Sequence, residues 1–178
     1  MPAYHSTFLS DDNTRIVGNF AVVPLRTKLR GPAYTTDDYD MIDECLDLFR
    51  ANSFFRNFEI KGPEDRTLIY GILFISDCLT QLSAKPNAAA TSATEAGRLL
   101  SNVALDHFAI PGEPGFPLNS LYTGPRDKTE AELLRGYLTT FRQELAQRLV
   151  ARIYADGDRP SKYWLAFTRR RFMNKSLS

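Results

Sequence analysis

The 178-residue chain is 43% hydrophobic and 24% charged, the proportions of a folded protein rather than a disordered one. Its formal net charge of +1 excludes a global basic excess that would draw it to nucleic acid or an acidic membrane. Two cysteines, Cys45 and Cys78, each inside an apolar helical pattern, exclude a secreted disulfide framework and read as buried reduced thiols. The start, Met1-Pro2-Ala3-Tyr4-His5, has neither part of a signal peptide, and no apolar run reaches bilayer length. A cytoplasmic protein without a membrane partner is the expectation.

Residues 1–36 show no helical period, yet Ile16, Val17, Phe20, Val22, Val23 and Leu25 are apolar. They read as an extended arm that packs on something and holds at most a short strand. A helix is expected from about Asp38 to Asn52, capped by Thr36 or Asp37, with Met41, Ile42, Cys45, Leu46, Leu48 and Phe49 as its apolar stripe and Asp43, Asp47 and Arg50 opposite. After an aromatic connector, Gly62-Pro63 with Glu64 and Asp65 opens a second helix to about Leu82, apolar on more than one face and therefore central. An alanine-rich solvent loop follows, and Ser92-Ala93-Thr94-Glu95 is a capping box for a third helix with Leu99, Leu100, Val103 and Phe108 on its core face.

The segment from Ile110 to Pro125 has four prolines and three glycines and cannot be helical, although it carries Phe116, Leu118, Leu121 and Tyr122. It reads as a rigid docking loop with Phe116 as its anchor. Thr129-Glu130-Ala131-Glu132 reads as another capping box, opening the longest helix, which ends near Tyr154 before Gly157. Leu134, Tyr137, Leu138, Phe141, Leu145, Leu149 and Ile153 share one face of it, and Glu144 and Arg148 pair on another. Ser161 caps a short helix holding Tyr163, Trp164 and Phe167, before a basic tail with Arg169, Arg170, Arg171 and Lys175. The expected fold is all-α: a single domain over residues 1–178, an irregular bundle of about five helices with arm 1–36, helical core 38–154 and tail 160–178.

No catalytic apparatus assembles from these residues. His5 and His107 are the two histidines. His107 reads as a cap on the last carbonyls of the third helix, and His5 lies in an arm that holds no geometry by itself. Asp43, Glu44 and Asp47 lack the loop-borne oxygens of a calcium site and read as a solvated acidic helix face. Two cysteines without a nearby histidine exclude a structural zinc site of the usual kind. The glycines of Pro111-Gly112-Glu113-Pro114-Gly115 lack the lysine of a phosphate loop. Neither a metal nor another cofactor is implied. The arginine run is the one feature that points to nucleic acid, and a helical nucleic-acid-binding module is the alternative reading.

The chain also carries long motifs. Among them are Met1-Pro2-Ala3-Tyr4-His5-Ser6-Thr7-Phe8, Gly18-Asn19-Phe20-Ala21, Asn57-Phe58-Glu59-Ile60-Lys61, Pro111-Gly112-Glu113-Pro114-Gly115-Phe116-Pro117-Leu118-Asn119 and Arg171-Phe172-Met173-Asn174-Lys175-Ser176-Leu177. With these the sequence resembles the actin-related protein 2/3 complex subunit 3 family, the 21 kDa subunits, over nearly its whole length. Residues 83–98 and 155–159 depart from the family pattern. The resemblance implies a non-enzymatic helical subunit of an assembly that nucleates branched actin filaments. Its implied partners are the other subunits, actin-related protein 3 especially, and the actin filament, with no nucleic acid and no membrane. On this reading Tyr4, His5, Phe8, Phe116, Arg169, Arg170, Arg171 and Lys175 are the partner-contact residues.

Overall fold

A computed structural model describes residues 4–9, 14–32, 34–168 and 172–177. The arm forms a hairpin of two short antiparallel strands, β1 (Arg15–Val17) and β2 (Phe20–Val22), joined at Gly18-Asn19. Four helices follow, α1 (Met41–Ser53), α2 (Pro63–Ser83), α3 (Ala93–Leu105) and α4 (Lys128–Ile153), and then a single turn, α5 (Lys162–Leu165). The architecture is therefore mostly helical, and the hairpin amends the all-α expectation. Phe20, Ala21 and Val22 are all buried, because β2 lies on α2 and is covered on both faces, whereas Arg15 and Ile16 of β1 stay exposed.

The second helix is the axis of the molecule. It touches α1, α3, α4 and β2, and its Leu68, Ile69, Ile72, Leu73, Phe74, Ile75, Leu79 and Leu82 are buried on more than one face, while Thr80, Gln81 and Ser83 of its last turns stay exposed. Pro63 stands at its first position and Glu64 and Asp65 in its first turn, as read from the sequence. Gly71 lets α1 approach: a Cβ there would lie 2.2 Å from the sulfur of Cys45 and 3.2 Å from the ring of Phe141. Both cysteines are buried and free; burial is the main cause that raises both thiol pKa values above the ordinary range.

Three helix ends differ from the sequence reading. The first helix starts at Met41, because Asp40 rather than Thr36 or Asp37 is its N-cap; its carboxylate accepts from the Asp43 N–H and the Asp43 carboxylate accepts from the Asp40 N–H. The fourth starts at Lys128 with Asp127 accepting from the Glu130 N–H at 2.8 Å, so the cap stands two residues before Thr129. The third keeps its Ser92 cap, with the hydroxyl accepting from the Glu95 N–H. Its other end belongs to Arg142 of α4, which donates to the carbonyls of Ala104 at 3.1 Å and Val103 at 2.8 Å. His107 lies exposed beyond that end. The buried Arg142 guanidinium also lies over the rings of Phe74 and Phe108, a cationic cap at the negative end of the α3 dipole.

At the tail, Trp164 stacks on Phe49 and Phe172 meets Phe58 edge-on, so these two rings fasten the C-terminal segment to the core. The Gly71 contact gives a direct test. Gly71→Ala should lower stability by about 1–3 kcal/mol through overpacking, a fall of about 2–12 °C in melting temperature for a chain of this size. Adding Cys45→Ala should recover most of the loss. Thermal unfolding of the single and double variants measures the coupling, and equal melting temperatures for the two would disprove the contact.

Candidate functional site

The described part of the arm before the hairpin, residues 4–9, has no strand or helix, so side chains of the core satisfy its backbone. Asp65, with no exposed surface, accepts from the ring of His5 at 2.7 Å, the N–H of Ser6 at 2.8 Å and the N–H of Lys61 at 3.0 Å. Glu44, equally buried, accepts from the N–H and the hydroxyl of Thr7 at 3.0 and 2.6 Å. Asn52 clasps Tyr4 with two amide–backbone bonds of 2.9 and 3.0 Å. The arm is thus laid across α1 and α2 at three points. Tyr4 keeps half of its surface exposed, His5 is placed with its ring 4.8 Å from Phe58, and Phe8 is half-buried.

Farther along, Arg26 and Arg148 bind the arm to α1 and α4. Arg148 lies 2.6 Å from Asp40, 3.2 Å from Asp43 and 3.0 Å from Glu144, and also donates to the carbonyl of Arg26. Arg26 holds Asp43 through both of its terminal nitrogens, at 2.6 and 3.0 Å, and Thr27 donates to Glu144 at 2.9 Å. Burial alone would raise the Asp43 pKa, but the bonds from Arg26 and the Asp40 N–H and the charge of Arg148 outweigh it and hold the carboxyl below its ordinary value. The acidic face of α1 is therefore not solvated as the sequence implied. Asp43 and Glu44 are buried under the arm, and only Asp47 stays exposed, 2.6 Å from Arg152. Periodicity places the three acids on neighbouring faces but says nothing of two arginines arriving from 17 and 105 residues away.

Of the residues read as partner contacts, His5 and Lys175 come together. They line one cleft of about 670 Å³ with Arg56, Phe58, Lys61, Leu121 and Met173, and with Glu59 as its one acidic residue. Among the described residues Arg56, Lys61 and Lys175 have no ion pair, so the cleft has an apolar wall and a free cationic rim. Arg56 and Lys61 were missed by sequence reading, since nothing local shows that the α1–α2 connector meets the tail. Phe116 lies elsewhere: it is 4% exposed, stacked on Tyr70 and edge-on to Tyr122, so the ring anchors the loop to the chain's own core. Gly18, at φ +61°, packs against the carbonyl of Thr123 and joins the arm hairpin to this loop. Arg169, Arg170 and Arg171 lie outside the described residues. Among the described residues no cluster of histidine, cysteine and carboxylate suited to a metal occurs, and no helix is long and apolar enough to cross a membrane.

Residues 1–177 match the family described as the ARP2/3 complex ARPC3 (21 kDa) subunit. The chain belongs to that 21 kDa subunit family. It is 63% identical to the actin-related protein 2/3 complex subunit 3 of Saccharomyces cerevisiae, covering 99% of this chain and 100% of the relative. The identity is 56% to the subunit of the same name in Schizosaccharomyces pombe and 44% to that in Dictyostelium discoideum, over 99% and 98% of this chain and 100% and 99% of the relatives. The resemblance read from the motifs is thus confirmed over the full length. In this chain the two stretches that depart from the family motifs touch each other: Asp158 accepts from the Ala93 N–H at 2.9 Å, and beside it Tyr154, one residue before the second stretch, donates its hydroxyl to the Thr91 carbonyl at 2.8 Å.

Arg148→Met should cost about 3–5 kcal/mol, because it leaves buried carboxylates without their cation. Since the folded pKa of Asp43 is depressed below its ordinary 3.8, the unfolded chain binds the proton first on acidification. The stability that Asp43 contributes is thus present above the ordinary carboxyl range and lost as pH falls through the folded value. Urea midpoints between roughly pH 2 and pH 7 should therefore drop on the acid side in the parent chain and drop less steeply in Arg148→Met. An unchanged acid slope would exclude the coupling.

Proposed function

We propose that the chain is a non-enzymatic structural subunit of an ARP2/3 complex in the cytoplasmic actin cytoskeleton, where it supports nucleation of branched filaments. The match over residues 1–177 carries this reading. On it, the chain packs against actin-related protein 3, and the basic tail faces the mother filament. The cleft rim of His5, Arg56, Lys61 and Lys175 is one contact surface, with Tyr4 and Phe8 flanking it on the arm. Unpaired cations beside apolar side chains suit a protein surface carrying carboxylates, where they fix orientation and speed encounter. Phe116 acts on a partner indirectly, by holding the exposed Pro117, Asn119 and Ser120 of its loop in one shape. Arg169, Arg170 and Arg171 supply the charge that meets the filament, with contacts that salt weakens. The function requires neither cofactor nor metal.

A tagged copy in native lysate should elute with a large assembly containing two actin-like chains. A monodisperse monomer without such companions would overturn the reading. Arg169→Glu with Arg170→Glu should leave assembly intact and reduce branches formed per assembled complex, the more so at low ionic strength. Wild-type branching across the whole salt series would show the tail to be a solvated end. Binding of the isolated chain to nucleic acid, collapsing steeply with salt, would favour the alternative.

A further inference from the structure

We propose that Thr35 is a phosphorylation site for an acidophilic serine/threonine kinase, because its exposed hydroxyl, unbonded among the described residues, sits on an extended segment followed by two exposed carboxylates without an ion pair among those residues. The segment Tyr34-Thr35-Thr36-Asp37-Asp38 joins the arm to α1. Tyr34 is 82% exposed, and Thr35, Asp37 and Asp38 are exposed as well. The ion pairs of this region join Arg26, Arg148 and Arg152 to Asp40, Asp43, Glu144 and Asp47. Among the described residues Asp37 and Asp38 therefore remain available to an outside cation. They stand two and three places after Thr35, where a basic substrate groove reads them together with the acceptor.

Backbone geometry separates Thr35 from its neighbours. Leu25 and Thr35 form a parallel bridge in which the Leu25 N–H donates to the Tyr34 carbonyl and the Thr36 N–H to the Leu25 carbonyl, both at 3.0 Å. In such a bridge the N–H and C=O of Thr35 itself point to the other, open edge. A kinase cleft can take that edge as an extended strand without unfolding the arm. Thr36 is less accessible and its hydroxyl accepts from the Asp38 N–H at 3.2 Å. Thr129 also has acids after it, Glu130 and Glu132, but lies within the first turn of α4, where the backbone is helical.

In the reaction the Thr35 hydroxyl oxygen attacks the γ-phosphorus of ATP while its proton passes to the kinase base. The bond from that phosphorus to the β–γ bridging oxygen breaks, and ADP leaves. The new group brings a charge of about −1.5 to −2 to a groove of about 500 Å³ that Thr35 shares with Arg26, Lys28 and Glu144. Lys28 is exposed and without an ion pair among the described residues, so it can receive the phosphate while Arg26 keeps Asp43.

The full chain, incubated with a purified acidophilic kinase, magnesium and ATP, should gain one phosphoryl group, placed on Thr35 by fragment mass spectrometry. Thr35→Val should abolish the gain, Thr35→Ser should retain it, and Thr36→Val and Thr129→Val should leave it unchanged. Asp37→Asn with Asp38→Asn should slow incorporation by about tenfold or more, the loss of roughly 1.4 kcal/mol of recognition. No incorporation, a phosphate on Thr36 or Thr129, or an undiminished rate in the double Asn variant would overturn the proposal. None of these readouts depends on assembly with actin-like chains.

Discussion

Four donors converge on the carboxylate of Asp40, and the chain's tertiary order depends on them. One oxygen takes the N–H of Asp43 at 2.9 Å and a nitrogen of Arg148 at 2.6 Å; the other takes the N–H of Arg26 at 2.8 Å and the second terminal nitrogen of Arg148 at 2.9 Å. One buried side chain thereby caps α1, fixes the arm and docks α4. A carboxylate has about four lone-pair positions, so all are used. Such a group adds little net stability over an apolar core of the same volume, because both ions lose water. It does impose register: a shift of α4 by one turn that put Glu144 in the place of Arg148 would set a third carboxylate against Asp40 and Asp43.

The same logic governs the rest of the arm. An extended segment that joins no large sheet must find partners for each N–H, and here buried acids and an amide supply them. Asp65, Glu44 and Asn52 act as a side-chain ladder in place of a neighbouring strand. Because their backbone partners lie at Tyr4, Ser6 and Thr7, arm and core are one cooperative unit, although the described residues 4–9 hold no regular structure.

Elements whose signals are local were legible in the sequence. The Gly62-Pro63 start of α2, the Ser92 cap of α3 and the apolar face of α4 depend on residues within a turn or two, and all were read correctly. Where two capping residues compete, as Asp37 with Asp40 or Thr129 with Asp127, local pattern does not choose; the tertiary contacts of Asp40 do. The fate of Asp43 and Glu44 was illegible for a related reason, since whether a helix face meets water or a folded arm is set by distant residues. The cleft was half legible: His5, Lys61 and Lys175 belong to motifs that drew attention, but Lys61 and its neighbour Arg56 gain meaning as contacts only when the tail crosses the connector. Phe116 shows a different limit of local pattern, for an aromatic ring in a proline-rich loop marks a well-packed loop as readily as a docking one.

The contact between the α2–α3 loop and the turn after α4 bears on how such a subunit can be handled. The side chains of Asp158 and Tyr154 close one end of the bundle through two hydrogen bonds to backbone groups of Ala93 and Thr91, and none of these residues lines the cationic cleft. Nothing buried there depends on the identity of the alanines at 88–90, whose side chains belong to no part of the core. Those three positions therefore offer a place to graft a fluorophore-bearing loop, which would ride rigidly on α3 and α4 and report the orientation of the whole subunit.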